Sequence, residues 1–283
     1  MLQKVALVLR MIKVEHSVFA LPFAIISALV AANGLPSWRI LLWILVAMIS
    51  ARSCAMAFNR LADYKFDRLN PRTKNWALPS GLLSTRFVFF FIIICSSLFV
   101  FAAFQLNHLA FVLSPLALAI IFFYSFTKRF TALSHWFIGL ALGVAPAGAW
   151  VAVRGTLDFQ PLWLSLAILF WTAGFDLIYS CQDAEFDRNQ KLHSIPSRFG
   201  IKTALNLSRF CHVLTVGLLV IFGYEAGLGL LYYAGVAIVA ALLLYEHTLV
   251  TSDDLTRVNE AFFTVNGLIS VLLLIFCSLD LYL

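Results

Sequence analysis

The stretch from Phe87 to Thr127 reads FVFFFIIICSSLFVFAAFQLNHLAFVLSPLALAIIFFYSFT and contains no Asp, Glu, Lys or Arg over 41 residues. About 20 apolar residues of helix cross a hydrocarbon core roughly 30 Å thick. The stretch therefore has room for two crossings, and the polar residues Gln105, Asn107 and His108 mark the turn between them. This pattern predicts a membrane protein with more than one spanning helix.

The rest of the chain has the same character. Hydrophobic residues make up 62% of the 283 residues and charged residues 12%, against roughly 45–50% and about 25% in soluble domains. Further apolar stretches bring the predicted spans to nine, with approximate centres at residues 25, 49, 95, 117, 142, 170, 214, 236 and 270. We therefore predict an all-α polytopic membrane protein of about nine transmembrane helices in a lipid bilayer.

Basic residues fall almost entirely on one side of these spans. If the N-terminus is cytoplasmic, seventeen of the twenty Lys and Arg residues face the cytoplasm, whereas Arg39 and Arg154 face the other side and Arg52 lies within a span. Cytoplasmic loops of membrane proteins carry such an excess. The asymmetry predicts a multi-pass protein of the cytoplasmic (inner) membrane with its N-terminus inside. The net charge of +6 follows from this topology, so no nucleic-acid partner is expected.

An internal repeat organises the chain. Asn59, Asp63 and Asp67 recur 120 residues later as Tyr179, Asp183 and Asp187, each set at the cytoplasmic end of an apolar span. The spacing predicts two four-helix units of the same orientation, at about 14–129 and 133–250, followed by a ninth helix at about 260–282. We expect a single domain, 1–283, in which both acidic sets lie on one membrane face.

The two acidic sets have the chemistry of a metal site. Within each set the residues are spaced i, i+4 and i+8, which would stack them along one stripe of a helix. Carboxylate and amide oxygens suit Mg²⁺, which usually takes one or two carboxylates together with substrate phosphates. The alternative is that these carboxylates only neutralise nearby basic residues, but the recurrence at the same spacing favours a site.

Two charges lie deeper in the predicted spans. Arg52 shares the stripe of Asn59, and Asp176 lies seven residues before Asp183, with Gln182 at the flank of that second stripe. Ionisable residues within a membrane usually face the bundle interior and serve a function. A purely structural ion pair between Arg52 and Asp176 is the competing interpretation.

Lys128 and Arg129 end the fourth span on the same face as the aspartates. Two interpretations carry similar weight. The pair could anchor the span at the cytoplasmic surface. It could also clamp a diphosphate or an aromatic carboxylate, since Arg binds both groups bidentately.

Taken together, these motifs resemble the UbiA-type intramembrane aromatic prenyltransferases over essentially the whole chain. The resemblance rests on the Asn59, Asp63 and Asp67 set, on Arg72-Thr73 leading to Leu78-Pro79-Ser80-Gly81, and on Tyr124-xxx-Lys128-Arg129. It also rests on Tyr179-xx-Gln182-Asp183-xxx-Asp187 leading to Ser194 and Arg198-Phe199-Gly200.

The resemblance implies Mg²⁺-dependent transfer of a polyprenyl group from its diphosphate to an aromatic acid, in quinone biosynthesis and at the cytoplasmic side of the membrane. It implies that Asp63, Asp67, Asp183 and Asp187 are catalytic residues that bind the metal, with Asn59. Substrate binding would fall to Asn59 and to a further set: Arg52, Arg72, Tyr124, Lys128, Arg129, Asp176, Tyr179 and Gln182.

Some positions depart from the family pattern. Trp76 stands where a basic residue is usual after Arg-Thr, Lys191-Leu192-His193-Ser194 replaces a common Gly-Val-Lys-Ser, and Glu15-His16 replaces an N-terminal Arg-Pro. These variants resemble the branch associated with menaquinone made by the futalosine route, whose acceptor is a hydroxylated naphthoate, although 4-hydroxybenzoate also fits the family. Two alternatives stay open: a transporter that binds an anion at the repeat interface, and a prenyltransferase acting on a tetrapyrrole.

Overall fold

The computed structural model describes residues 2–13 and 19–283, and within these residues all regular secondary structure is helical. The helices of the first half are α1 (Leu2–Ile12), α2 (Leu21–Ala32), α3 (Trp38–Ala62), α4 (Tyr64–Leu69), α5 (Thr85–Leu106) and α6 (His108–Thr127). The second half contains α7 (Ser134–Arg154), α8 (Gln160–Ser180), α9 (Ala184–Asn189), α10 (Ile195–Phe199), α11 (Ile201–Glu225), α12 (Leu230–Glu246) and α13 (Asn266–Tyr282). A π-helical turn, Glu260–Val265, leads into α13.

Seven helical segments of the described chain are long and apolar enough to cross a membrane, and α2 and α12 are shorter apolar helices. All nine centres expected from the sequence fall inside these helices. The membrane fold is therefore as predicted, although α2, with 12 residues, is about 18 Å long and does not cross a full hydrocarbon core by itself. The departures at Glu15 and His16 lie outside the described residues.

The long helices pack as an apolar bundle. The most extensive contacts join α7 to α8, α3 to α5 and α8 to α11. The largest hydrophobic cluster is built around α8, where Leu164, Ile168 and Trp171 are fully buried. Helix α8 is thus the central helix of the second half, and one of the acidic sets lies at its C-terminal end.

Helices α7 and α8 approach unusually closely at two glycines. A Cβ at Gly139 would lie 2.3 Å from the carbonyl oxygen of Leu169, and one at Gly143 would lie 2.7 Å from that of Ser165. Inside a membrane the hydrophobic effect does not drive helices together, because lipid tails are as apolar as the side chains. Small residues four apart promote association instead by letting the two backbones pack closely. This contact fixes α8 against α7 and so sets one wall of the cavity described below.

Candidate active site

In both acidic sets the helix is interrupted at the first aspartate. Helix α3 ends at Ala62, Asp63 has φ −88° and ψ 6°, and α4 begins at the next residue. In the second set a 3₁₀ turn follows α8, and Asp183 has φ −101° and ψ 6° before α9 begins. Each predicted stripe is therefore interrupted, by one residue in the first set and by a 3₁₀ turn in the second, and the two aspartates have similar backbone angles.

Asp63 is surrounded by hydrogen-bond donors and cations. Its side chain is buried, with 3% exposure. Asn59 Nδ2 donates to Asp63 Oδ2 over 3.2 Å, and Lys128 Nζ lies 2.9 Å from the same oxygen. Arg129 Nη2 lies 3.6 Å from Asp63 Oδ1 and donates to the carbonyl of Ala62 over 2.6 Å. The basic pair thus contacts the first aspartate directly, as a clamp at this face would.

Lys128 stands between the two acidic sets. It pairs with Asp63 and also interacts electrostatically with Asp187 from α9. Burial acts to lower the pKa of Lys128, but the carboxylates of Asp63, Asp187 and Asp67 together outweigh it, and the pKa is raised above its ordinary value. Lys128 is therefore a cation at neutral pH.

Asp67 lies one turn further along, in α4. Arg60 Nη1 is 3.6 Å from Asp67 Oδ2, and the hydroxyl of Thr73 donates to the Asp67 carbonyl over 2.9 Å. Burial raises the pKa of Asp67 despite the nearby Arg60. Among the described residues, Asp63 Oδ1 and Asp67 Oδ2 are buried and accept no hydrogen bond. Two carboxylate oxygens thus retain capacity for a further ligand.

Asp183 receives its partners from the first half of the chain. Arg72 binds its carboxylate with two nitrogens, Nε to Oδ1 at 3.1 Å and Nη2 to Oδ2. Asn70 Nδ2 also donates to Oδ1, over 3.0 Å. Arg72 Nη1 donates to the Tyr179 hydroxyl over 2.9 Å. The segment after α4 therefore crosses to the second acidic set, and Asn70 is a site residue that the sequence reasoning missed.

The deeper charge Asp176 has a partner that the sequence did not indicate. His135 Nδ1, from α7, lies 2.7 Å from Asp176 Oδ2. The backbone N–H of Ile195 donates to the other ring nitrogen, Nε2, over 3.4 Å. Since Nε2 accepts this bond, Nδ1 is the nitrogen that donates to the carboxylate. His135 thus fixes the orientation of Asp176.

A cavity of about 580 Å³ connects these groups. Its wall includes residues from Ile44 to Asp63 along α3, a distance of about 28 Å at 1.5 Å per residue. The polar groups lie at the helix ends that carry the two acidic sets, and side chains of α5, α6 and α7 make the remainder largely apolar. Of the substrate-binding candidates, the following line the cavity: Arg52, Asn59, Arg72, Tyr124, Lys128, Asp176 and Tyr179.

Two candidates do not line the cavity. Gln182 turns back, and its Nε2 donates to the Tyr179 carbonyl over 3.2 Å. Arg129 reaches Asp63 from the rim. Residues that the sequence did not single out, His135 and Arg60 among them, belong to the wall instead.

The acidic residues suit a divalent cation without forming a closed cage. In the described part of the chain, no three His, Cys, Asp or Glu side chains form a group that could hold a metal ion. Mg²⁺ needs no such cage, since it commonly uses one or two carboxylates plus substrate phosphates and water. The side-chain oxygens of Asn59, Asp63 and Asp67 fit this chemistry as metal ligands. Two of these oxygens, Asp63 Oδ1 and Asp67 Oδ2, accept no hydrogen bond.

Known proteins resemble this chain in sequence. Residues 20–268 match the UbiA prenyltransferase family. The 4-hydroxybenzoate octaprenyltransferase of Paraburkholderia phytofirmans is 30% identical over 273 residues, which cover 93% of this chain and 92% of that protein.

Solved structures share the fold. The apo structure of a UbiA homolog from Aeropyrum pernix K1 has a TM-score of 0.86 and 32% identity, covering 94% of this chain and 98% of that one. A UbiA homolog from Archaeoglobus fulgidus bound to GPP and Mg²⁺ has a TM-score of 0.78 over 98% of this chain and 100% of its own, at 21% identity. At that identity the second likeness concerns the fold alone.

Proposed function

Because this chain belongs to the UbiA prenyltransferase family, we propose that it transfers a polyprenyl group from polyprenyl diphosphate to the ring of an aromatic acid. The acceptor is 4-hydroxybenzoate or a hydroxylated naphthoate, and the product is a precursor of a quinone, ubiquinone or menaquinone. The observation that carries the proposal is the two-part cavity, in which carboxylates and cations adjoin a long apolar interior. The name of the Paraburkholderia relative supports this acceptor class.

The polar part is suited to a diphosphate held through Mg²⁺. Asn59, Asp63 and Asp67 would hold the metal from one side, with Asp183 and Asp187 on the other. When bound, Mg²⁺ would neutralise the charge that develops on the leaving diphosphate. The Archaeoglobus neighbour, which shares this fold, was solved with GPP and Mg²⁺ and supports the pairing of metal and diphosphate.

The cations would bind the diphosphate oxygens directly. Lys128 and Arg72 line the cavity and are held beside the aspartates. Arginine can bind two phosphate oxygens at once, and such charge-assisted hydrogen bonds are stronger than neutral ones. With their carboxylate partners engaged by a metal, Lys128 and Arg72 would be able to contact the phosphates.

The apolar part would hold the isoprenoid chain. Its walls exclude water, which would otherwise capture the allylic cation left when the bond to the diphosphate breaks. The faces of Tyr124, Phe175 and Tyr179 line the same cavity and can stabilise a cation electrostatically. The ring of the acceptor would then supply the electron pair for the new carbon–carbon bond, and the substituted ring carbon would lose its proton to an oxygen of the departing diphosphate.

The deeper polar groups would orient the acceptor. Arg52 lines the cavity and offers a cation for the acceptor carboxylate. Asp176, oriented by His135, offers an oxygen for the acceptor hydroxyl. This arrangement favours an aromatic acid that also carries a hydroxyl group.

The proposed enzyme works from the cytoplasmic side of the cytoplasmic membrane, with its N-terminus inside. The basic residues concentrated beside both acidic sets support this orientation. A diphosphate made in the cytoplasm would then reach the polar part of the cavity without crossing the membrane.

Product analysis tests the proposal. Purified protein in lipid nanodiscs is incubated with Mg²⁺, one radiolabelled polyprenyl diphosphate and, separately, 4-hydroxybenzoate, a dihydroxynaphthoate and unsubstituted benzoate. We expect prenylated product from at least one hydroxylated acid and none after chelation by EDTA. Absence of product with every acid, across short and long prenyl diphosphates, would contradict the proposal.

A further inference from the structure

Trp76 lies where three cationic side chains meet. It belongs to the segment between α4 and α5 and lines the cavity. The guanidinium carbon of Arg60 is 3.9 Å from the centre of its ring, Lys13 Nζ is 5.2 Å away, and the guanidinium carbon of Arg72 is 5.6 Å away. Each falls within the range of about 6 Å over which a cation is attracted to an indole face.

The two arginines on this ring serve different acidic sets. Arg60 pairs with Asp67 at 3.6 Å, and Arg72 binds Asp183 and the Tyr179 hydroxyl. A single aromatic ring therefore contacts the cations of both halves of the site. Like charges at this spacing repel each other, and the ring offsets that repulsion through its negative face.

An indole holds cations in a way that a carboxylate would not. A carboxylate at position 76 would form hydrogen bonds with the guanidinium N–H groups and so occupy the donors that a phosphate needs. A basic residue there would add a fourth positive charge. The face of the indole attracts each cation without taking up its N–H donors.

We propose that Trp76 is a positioning residue, which keeps Arg60 and Arg72 at the polar end of the cavity when the aspartates turn to the metal, so that diphosphate meets a preformed pair of cations. This inference rests on the proposed function, since it assumes a diphosphate at that end. It assigns a role to a position at which this chain differs from the family pattern. Trp76 acts through the arginines and touches no reacting atom.

The test compares Trp76→Leu, which removes the aromatic face, with Trp76→Phe, which keeps one. Trp38→Leu, at a 76% exposed tryptophan beginning α3, is the matched control. Full-length proteins in nanodiscs are assayed for the KM of polyprenyl diphosphate, the KM of the acceptor and kcat. Binding of inorganic diphosphate with Mg²⁺ is measured by calorimetry.

We expect Trp76→Leu to raise the KM for polyprenyl diphosphate and the Kd for inorganic diphosphate, each on the order of tenfold, with the acceptor KM little changed. Trp76→Phe should recover most of the loss, and Trp38→Leu should match the wild type. Equal losses in the Leu and Phe variants would show that only packing matters and would overturn the proposal, as would an effect confined to the acceptor KM.

A fluorinated series keeps the test valid if Trp76→Leu does not fold. Fluorinated tryptophan analogues are incorporated in place of Trp76. Each added fluorine weakens the negative face of the ring at nearly constant shape, so the Kd for inorganic diphosphate should rise with each fluorine. A flat series overturns the role of Trp76. If the wild-type chain binds no diphosphate, the proposed function itself fails, whereas wild-type binding that ignores Trp76 refutes only the inference.

Discussion

Asp63 and Asp183 occupy equivalent places in the two acidic sets, each at a helix break and each beside a basic side chain. Asp63→Asn and Asp183→Asn keep size and remove charge. Each should lower kcat/KM for prenyl transfer on the order of 100-fold or more, because charge stabilisation in a site poor in water is a large contribution. The double variant should be scarcely worse than either single one if both aspartates act on one diphosphate.

Steady-state transfer assays on the three variants check this prediction. Asp253→Asn, at an exposed aspartate before α13, is the control and should behave like the wild type. Losses that multiply in the double variant would indicate two independent sites. Full activity of either single variant at limiting Mg²⁺ would refute the metal assignment.

Lys128 and Arg129 should differ in importance although they are adjacent. Lys128 lines the cavity between the acidic sets, whereas Arg129 reaches Asp63 from the rim. Lys128→Ala should therefore raise the KM for polyprenyl diphosphate more than Arg129→Ala does. Lys202→Ala, an exposed lysine at the start of α11, provides the control. Equal, negligible effects of both substitutions would favour a membrane anchor.

At this scale the sequence showed which residues carry charge but not which residues meet. The aspartates could be found because their spacing recurs after 120 residues. The contacts of Asn70 with Asp183 and of His135 with Asp176 join positions 113 and 41 residues apart. No local pattern encodes such contacts, since they depend on how separate helices pack.

At the scale of single helices, the close approach of α7 and α8 gives a test of the packing. Gly139→Ala places a methyl group against the Leu169 carbonyl and should destabilise the protein by roughly 1–3 kcal/mol, as overpacking usually does. Gly217→Ala in α11 meets no atom within 4 Å and should leave stability unchanged or slightly improved. Thermal unfolding in one detergent compares the two variants, and equal melting temperatures would contradict the close contact.

The sequence predicts the centres of the spanning helices more accurately than it predicts where these helices end. Length without charge is the main requirement for crossing a bilayer, so the centres of the helices follow directly from composition. The breaks at Asp63 and Asp183 could not be foreseen, because Asp and Asn at i, i+4 spacing are equally compatible with a continued helix. The residues that Asp63 contacts at the break, Lys128 and Arg129, lie on another segment of the chain.

At the scale of the whole molecule, the parallel repeat predicts that both acidic sets face the cytoplasm. Reporter fusions after Arg72 and after Arg188 should both give cytoplasmic signals, since seventeen of twenty basic residues fall on one side of the predicted spans and cytoplasmic loops carry such an excess. A fusion after Arg154 should report the opposite side and serves as the control. Opposite signals at Arg72 and Arg188 would show that the repeat is inverted.

Which helices pack against each other in the bundle could not be predicted from the sequence. A spanning helix is apolar all round, so it lacks the one-sided pattern that marks the buried face of a helix in a soluble protein. The pairing of α7 with α8 depends instead on glycines whose significance emerges only when the helices are side by side. Topology follows from charge counting, whereas packing order requires the structure.

The direction of the ion pairs makes the two halves of the chain unequal. Among the described residues, the Lys and Arg partners of Asp63, Asp67 and Asp183 all come from residues 60–129. The second half contributes carboxylates, and the cation that pairs with Asp183 comes from the first half. Two folded copies of the first half would bring together an excess of these cations, and two copies of the second half would bring together carboxylates without them. The predicted repeat is thus functionally asymmetric, like a heterodimer whose two subunits are joined in one covalent chain.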